Sequence, residues 1–141
     1  MSVTKRKIAE SRIALLLRAP ELDFEAISSA LGLQATATRR KGDLINRLPE
    51  IVAEADEWAY IVPLNVPEGE DEALNALLEC MLSHQAEIAE LEKTAQITLR
   101  LHVQSDHAQI AYCLMPETLR KLASTGLPLQ VSTLSWGEVA L

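Results

Sequence analysis

Lysine and arginine are missing from one long segment of this chain. None occurs between Arg47 and Lys93, although the 141-residue sequence holds thirteen of them, and twelve of its twenty acidic residues fall in that gap. Glycine is also scarce, at five. There is no glycine-rich phosphate loop and no Gly-x-Ser-x-Gly elbow, which removes the usual signatures of nucleotide binding and serine hydrolysis. The two cysteines, Cys80 and Cys113, are too few for a disulfide framework and point to a reducing compartment. No apolar run approaches the ~20 residues that span a bilayer; Ile13–Leu17 is only strand-sized. The N-terminal MSVTKRKIAESR carries charge without an apolar region behind it, so no secretory leader is predicted and a cytoplasmic location is expected. Aromatic residues are few, so Leu, Ile, Val and Ala must fill the core of a single domain over residues 1–141.

The net charge of −7 conceals a segregation: residues 1–47 carry nine of the thirteen cations. An acidic block such as the one after Arg47 is either a solvated surface or a docking field for a basic partner.

The most structured stretch reads from Asp23 to Asp43. Asp23 caps a helix over Phe24–Leu31, whose Phe24, Ile27 and Leu31 form one apolar stripe. Gly32 stands where a left-handed terminus is wanted, with Leu33 as its hydrophobic partner. A basic loop follows (Arg39, Arg40, Lys41) and closes on a turn at Gly42 and Asp43. Before it, Ile8–Arg18 alternates as a strand, with Ile13, Leu15 and Leu17 on one face and Arg12, Ala14, Leu16 and Arg18 on the other. After it, Pro49–Ala55 suits a turn or two of helix, and Trp58–Leu64 a second strand with Trp58 plugging one end of the core.

The acids Glu68, Glu70, Asp71 and Glu72 suit a helix N-terminus. Leu74, Leu77, Leu78, Met81, Ile88 and Leu91 predict one long helix from Asp71 to Glu92. Ile97, Leu99, Leu101 and Val103 alternate with the wetter Gln96, Thr98, Arg100 and His102, predicting a strand that turns at Ser105–His107 and returns as Gln109–Leu114. Pro116 opens a last helix with Leu119 and Leu122 inward, Gly126 stops it, and Leu129–Trp136 is the final strand. The order βαβ-α-ββαβ predicts an α+β two-layer sandwich, a ferredoxin-like variant. In it, about five mixed, mostly antiparallel strands carry helices packed on them.

Site chemistry is sparse. Arg39, Arg40 and Lys41 suit a carboxylate or phosphate. The helix, glycine turn and Thr-Arg run also have the look of a helix-turn-helix, but the would-be recognition helix lacks apolar anchors and the acidic remainder repels phosphate. Cys80 with His84, and His102 with His107, do not make the two ligand pairs of a zinc site, so no metal is predicted. No nucleophile–base pairing is legible, so neither catalysis nor a cofactor is expected.

Leu31-Gly32-Leu33, Ala35-Thr36, Arg40-Lys41-Gly42-Asp43 and the strand opened by Trp58 resemble a small bacterial family, domain of unknown function 4279 (DUF4279). Met115-Pro116-Glu117 with Leu119, Leu122 and Gly126 extend the resemblance over nearly the whole chain. The resemblance implies stand-alone cytoplasmic proteins without an established activity, some of them suited to immunity against a secreted toxin. The resulting expectation is a non-enzymatic protein-interaction domain whose acidic residues, Glu68, Glu70, Asp71 and Glu72, meet a basic toxin-like partner. The alternative is a small-anion or metabolite site formed by residues 39–41 and a cleft beside Trp58.

Overall fold

The near-continuous apolar run Ile13–Leu17 sits in the middle of a sheet, as a strand with a neighbour on each side requires. It belongs to β1 (Ala9–Ala19), one of eleven elements in the computed structural model, which describes residues 9–64, 69–107 and 110–138. The others, in chain order, are α1 (Phe24–Leu31), β2 (Ala37–Arg39), β3 (Leu44–Asn46), β4 (Ile51–Val52), β5 (Asp56–Leu64), α2 (Glu70–Leu82), α3 (Gln85–Glu92), β6 (Gln96–His107), α4 (Pro116–Thr125) and β7 (Leu129–Glu138). Five strands form a mixed sheet in the order β2-β5-β1-β6-β7, parallel only between β6 and β7. The class is α+β, and all four helices lie on one face of that sheet.

Register explains the core. Leu17 is opposite Trp58 on one side and Ile97 on the other; Leu15 is opposite Tyr60 and Leu99, and Ile13 opposite Val62 and Leu101. These side chains share the helix-facing surface and meet Ile27 and Leu31 of α1, Leu74, Leu77, Leu78 and Met81 of α2, and Ile88 of α3. Each fully buried Leu, Ile or Trp contributes on the order of 1.5–3 kcal/mol of transfer free energy. α1 is held at both ends by local chemistry. Asp23 Oδ1 accepts from the Ala26 N–H at 3.1 Å, and Gly32, at φ 65°, ends the helix so that the Leu33 N–H reaches the Ser28 carbonyl.

The structure departs from the sequence reading in five places. Pro49–Ala55 is not helical: the β-branched Ile51 and Val52 pair back on Leu44 and Asn46 as a small hairpin, closed by Gly42 N–H to Ala53 C=O and Ala53 N–H to Asp43 C=O. Ala37–Arg39, read as loop, is a short edge strand on β5. The long helix breaks at Ser83–His84. There the Cys80 carbonyl, which a continuous helix would give to the His84 N–H, is taken by Ser83 Oγ at 2.7 Å and His84 Nδ1 at 2.9 Å. The His84 N–H falls back on Met81 C=O, and the helix restarts with Ile88 N–H to His84 C=O.

The turn predicted at Ser105–His107 is strand, because β6 continues to His107. Its free edge is taken by β7, so no hairpin partner forms over 110–114; Gln109, the first residue of the predicted return strand, lies outside the described residues with Ala108. Ile110, Tyr112 and Leu114 still point inward alternately, as unpaired chain against the core. Finally, α4 is rotated. Thr118 rather than Leu119 is buried, hydrogen-bonded to Asn75 Nδ2, and Leu119 is 47% exposed.

Candidate functional site

The helices cover one face of the sheet and leave the other open. On a pleated strand alternate residues share a face, so the open face collects Arg12, Ala14, Leu16 and Arg18 of β1 and Thr98, Arg100 and His102 of β6. To these it adds Glu57, Ala59 and Ile61 of β5, Arg39 of β2, and Gln130 and Ser132 of β7. Small residues such as Ala14 and Ala59 alternate with long ones, and the result is a pair of adjoining hollows. One hollow of about 490 Å³ is lined by Arg12, Ala14, Leu16, Ile61, Arg100 and His102. A second of about 300 Å³ lies beside it over Arg18, Glu57, Ala59 and Thr98, and the two share Leu16, Arg100 and Gln130.

Charge on this face runs against the sign of the whole molecule. Arg18 and Arg39 bracket Glu57, at 3.7 and 3.1 Å. Arg12 and Arg100 are different. His102 is opposite Arg12 and Ala14 opposite Arg100, so the two arginines are diagonal neighbours across β1 and β6. Among the described residues neither has a carboxylate within ion-pair distance. Arg100 Nε donates to Gln130 Oε1 at 3.0 Å, which orients its guanidinium without neutralising it.

Beside them a polar chain crosses three strands. Gln104 Nε2 donates to Glu10 Oε2 at 2.8 Å, and Gln104 Oε1 therefore accepts from His102 Nε2 at 3.0 Å. In the neutral ring that assignment leaves Nδ1 to accept from Ser132 Oγ at 3.1 Å. His102 is thus a fixed wall of the larger hollow, held from both sides.

The residues singled out from the sequence have other positions. Arg40 is a fastener rather than a ligand grip. Its Nη1 donates to the Leu22 carbonyl at 2.7 Å and pairs with the buried Asp56 at 2.8 Å, and its guanidinium lies 3.9 Å over the Phe24 ring. Lys41 contributes its backbone N–H to Asp56 Oδ1. Asp43 Oδ2 accepts from the Arg40 N–H across a turn whose Gly42 has φ 92°, a conformation open to glycine and strained for other residues. Trp58 opens onto no cleft: it is fully buried, its indole N–H donating to Ser28 Oγ at 3.1 Å.

The acidic cluster does not form one surface either. Glu70 is buried and accepts from Ser11 Oγ at 2.9 Å. Asp71 Oδ1 caps the N–H of Met115 at the entrance to α4. Glu72 is exposed, and Glu68 lies outside the described residues. A helix packed on a sheet presents only part of its circumference to water, so a run of adjacent acids cannot all face outward. Farther along α2, Glu79 and Glu117 bracket Lys121, whose amine is held above its ordinary value chiefly by the Glu79 hydrogen bond.

Asp56 is the hub of the 22–56 contacts. The N–H groups of Lys41 and Leu22, and then Arg40, hold its carboxyl below the ordinary carboxylate value. The stabilisation from this group is therefore complete above the unfolded-chain value of about 3.9, and is lost as pH falls through the lower folded value. Asp56→Asn should lower the thermal midpoint at pH 7, and the gap to wild type should narrow in acid. A gap of the same size at pH 7 and in strong acid would count against that role.

Sequence reading missed two features. Arg12, Arg100 and His102 came out only as polar alternates of two strands, with no sign that they meet. The β3–β4 hairpin holds Leu44, Ile45, Leu48, Ile51 and Val52, all 40% or more exposed. Among the described residues no three His, Cys, Asp or Glu side chains converge as metal ligands, and no helix is long and apolar enough to cross a membrane. Searches of curated proteins and of solved structures returned no match. The family's own sequence pattern, by contrast, matches residues 9–136, a span that takes in four strands of the main sheet and most of the fifth, its open face and the Arg40–Asp43 turn. The chain therefore belongs to the DUF4279 family, domain of unknown function.

Proposed function

We propose that this protein is a non-enzymatic binding domain that holds an anionic group, a carboxylate or phosphate, on the open face of its sheet. The observation that carries the reading is the pair Arg12 and Arg100, without a carboxylate partner among the described residues, over the hollow they share with His102, in a chain of net charge −7. Like charges on neighbouring strands repel, and an anion between them relieves that repulsion while taking charge-assisted hydrogen bonds from both guanidinium forks. The apolar floor of Ala14, Leu16 and Ile61 excludes water beneath the anion and strengthens those contacts. The anion can belong to a free metabolite or to an acidic segment of a partner protein; both present the same chemistry to the arginines.

Titration calorimetry at low ionic strength with citrate, with inorganic phosphate and with a glutamate-rich peptide tests this reading and separates the sources. At least one should bind, and Arg12→Glu or Arg100→Glu should weaken it by about tenfold or more, roughly 1.4 kcal/mol. Lys93→Glu, on the helix layer, should change nothing, and added salt should weaken binding. Preference for the peptide over both small anions would assign the face to a protein partner. Failure of all three to bind, or binding indifferent to both arginine substitutions, would overturn the proposal.

A further inference from the structure

Among the described residues the sheet has one long edge with no further strand on it. β7 ends the strand order, so among the described residues it pairs only with β6. Proteins blunt such edges with charge, with proline or by keeping the edge strand very short. The opposite edge is guarded that way: β2 is three residues long and includes Arg39, and β5 behind it exposes Pro63. Over Leu129–Gly137 β7 contains no charged residue and no proline; its one charge, Glu138, stands at the last position, beyond the register shift in its pairing with β6. Val131 and Leu134 are 46% and 51% exposed. By register Val131 lies on the helix side of the sheet, opposite Leu101, and Leu134 on the open side, opposite Gln104.

We propose that β7 is a homodimer interface, pairing antiparallel with β7 of a second copy so that two five-stranded sheets become one continuous sheet. Charge selects the occupant. Two copies of a chain at −7 repel one another, and a two-fold contact sets each patch against itself, so a charged patch would meet its own sign. A stretch without charge, as β7 is from Leu129 to Gly137, is a surface on which self-association escapes that penalty. An acidic or basic peptide, by contrast, would find no complementary charge along it. With the two-fold axis perpendicular to the sheet, both helix layers stay on one side. Val131 and Leu134 each gain cover from the neighbouring strand, and the two open faces become a single surface.

Sedimentation velocity over a concentration series, from low micromolar to near millimolar, tests the inference. Wild type should move from monomer to dimer. Val131→Lys and Thr133→Lys, at exposed positions, should each raise the dissociation constant by about tenfold or more, because like charges then face each other across the axis. Leu48→Lys, on the exposed β3–β4 hairpin, should leave the dimer intact. Hydrogen exchange on wild-type protein gives a reading independent of any variant's folding: β7 amides should exchange more slowly in concentrated than in dilute solution, and those of β2 at the same rate in both. The proposal is overturned by a monomer at every concentration, by a dimer that survives both β7 lysines, or by one that dissolves with Leu48→Lys.

Discussion

Trp58→Ala should destabilise the protein by about 3–5 kcal/mol, a large part of the ~5–15 kcal/mol that holds a typical domain folded. Trp58 is the largest of the fully buried side chains, at 0% exposure, and Leu17 lies opposite it on the next strand. Truncation opens a cavity between β5 and α1 that rigid strands cannot close, and it leaves Ser28 Oγ without its donor. Trp58→Phe should cost less, since it keeps most of the volume and loses chiefly the hydrogen bond. Urea unfolding followed by circular dichroism reads both. If Trp58→Ala instead unfolds near the wild-type midpoint, the indole is not the core element described here.

Leu78→Ala should cost about 2–5 kcal/mol by the same cavity argument. Leu78 is fully buried on α2, in the cluster that joins the helices to Ile13, Leu15 and Leu99. Glu87→Ala, on the exposed side of α3, should stay within about 0.5 kcal/mol. The pair of measurements fixes which side of the α2–α3 layer faces the sheet. Comparable losses at the two positions would mean that the face has been assigned wrongly.

Much of the architecture was legible because it rests on local chemistry. The α1 helix, with Asp23 before it and Gly32 after it, follows from capping and needs nothing distant. The alternation of Ile13, Leu15 and Leu17, and of Ile97, Leu99 and Leu101, marks two strands whichever partners they find. The apolar period predicts one helix through α2 and α3, although the seven-residue step from Met81 to Ile88, without an apolar residue at 84 or 85, already interrupts the stripe. Ser83 and His84 then compete for the Cys80 carbonyl, and that local contest ends the helix.

By itself, then, the sequence determined the α+β class, the capped α1 helix, the glycine turns and which residues of β1 and β6 face the core. All of these depend on backbone conformation and on the period of apolar residues. Strand order was decided only by the tertiary structure, because pairing joins residues far apart in the chain and leaves no periodic mark on either. That is why 109–114 read as a hairpin partner when β7 held the place beside β6. It is also why the candidate site was sought in consecutive charges, at 39–41 and 68–72. Helix packing buries Glu70, and Arg39 and Arg40 are held in ion pairs with Glu57 and Asp56, while the pleat gathers Arg12 and Arg100, 88 positions apart, onto one open face.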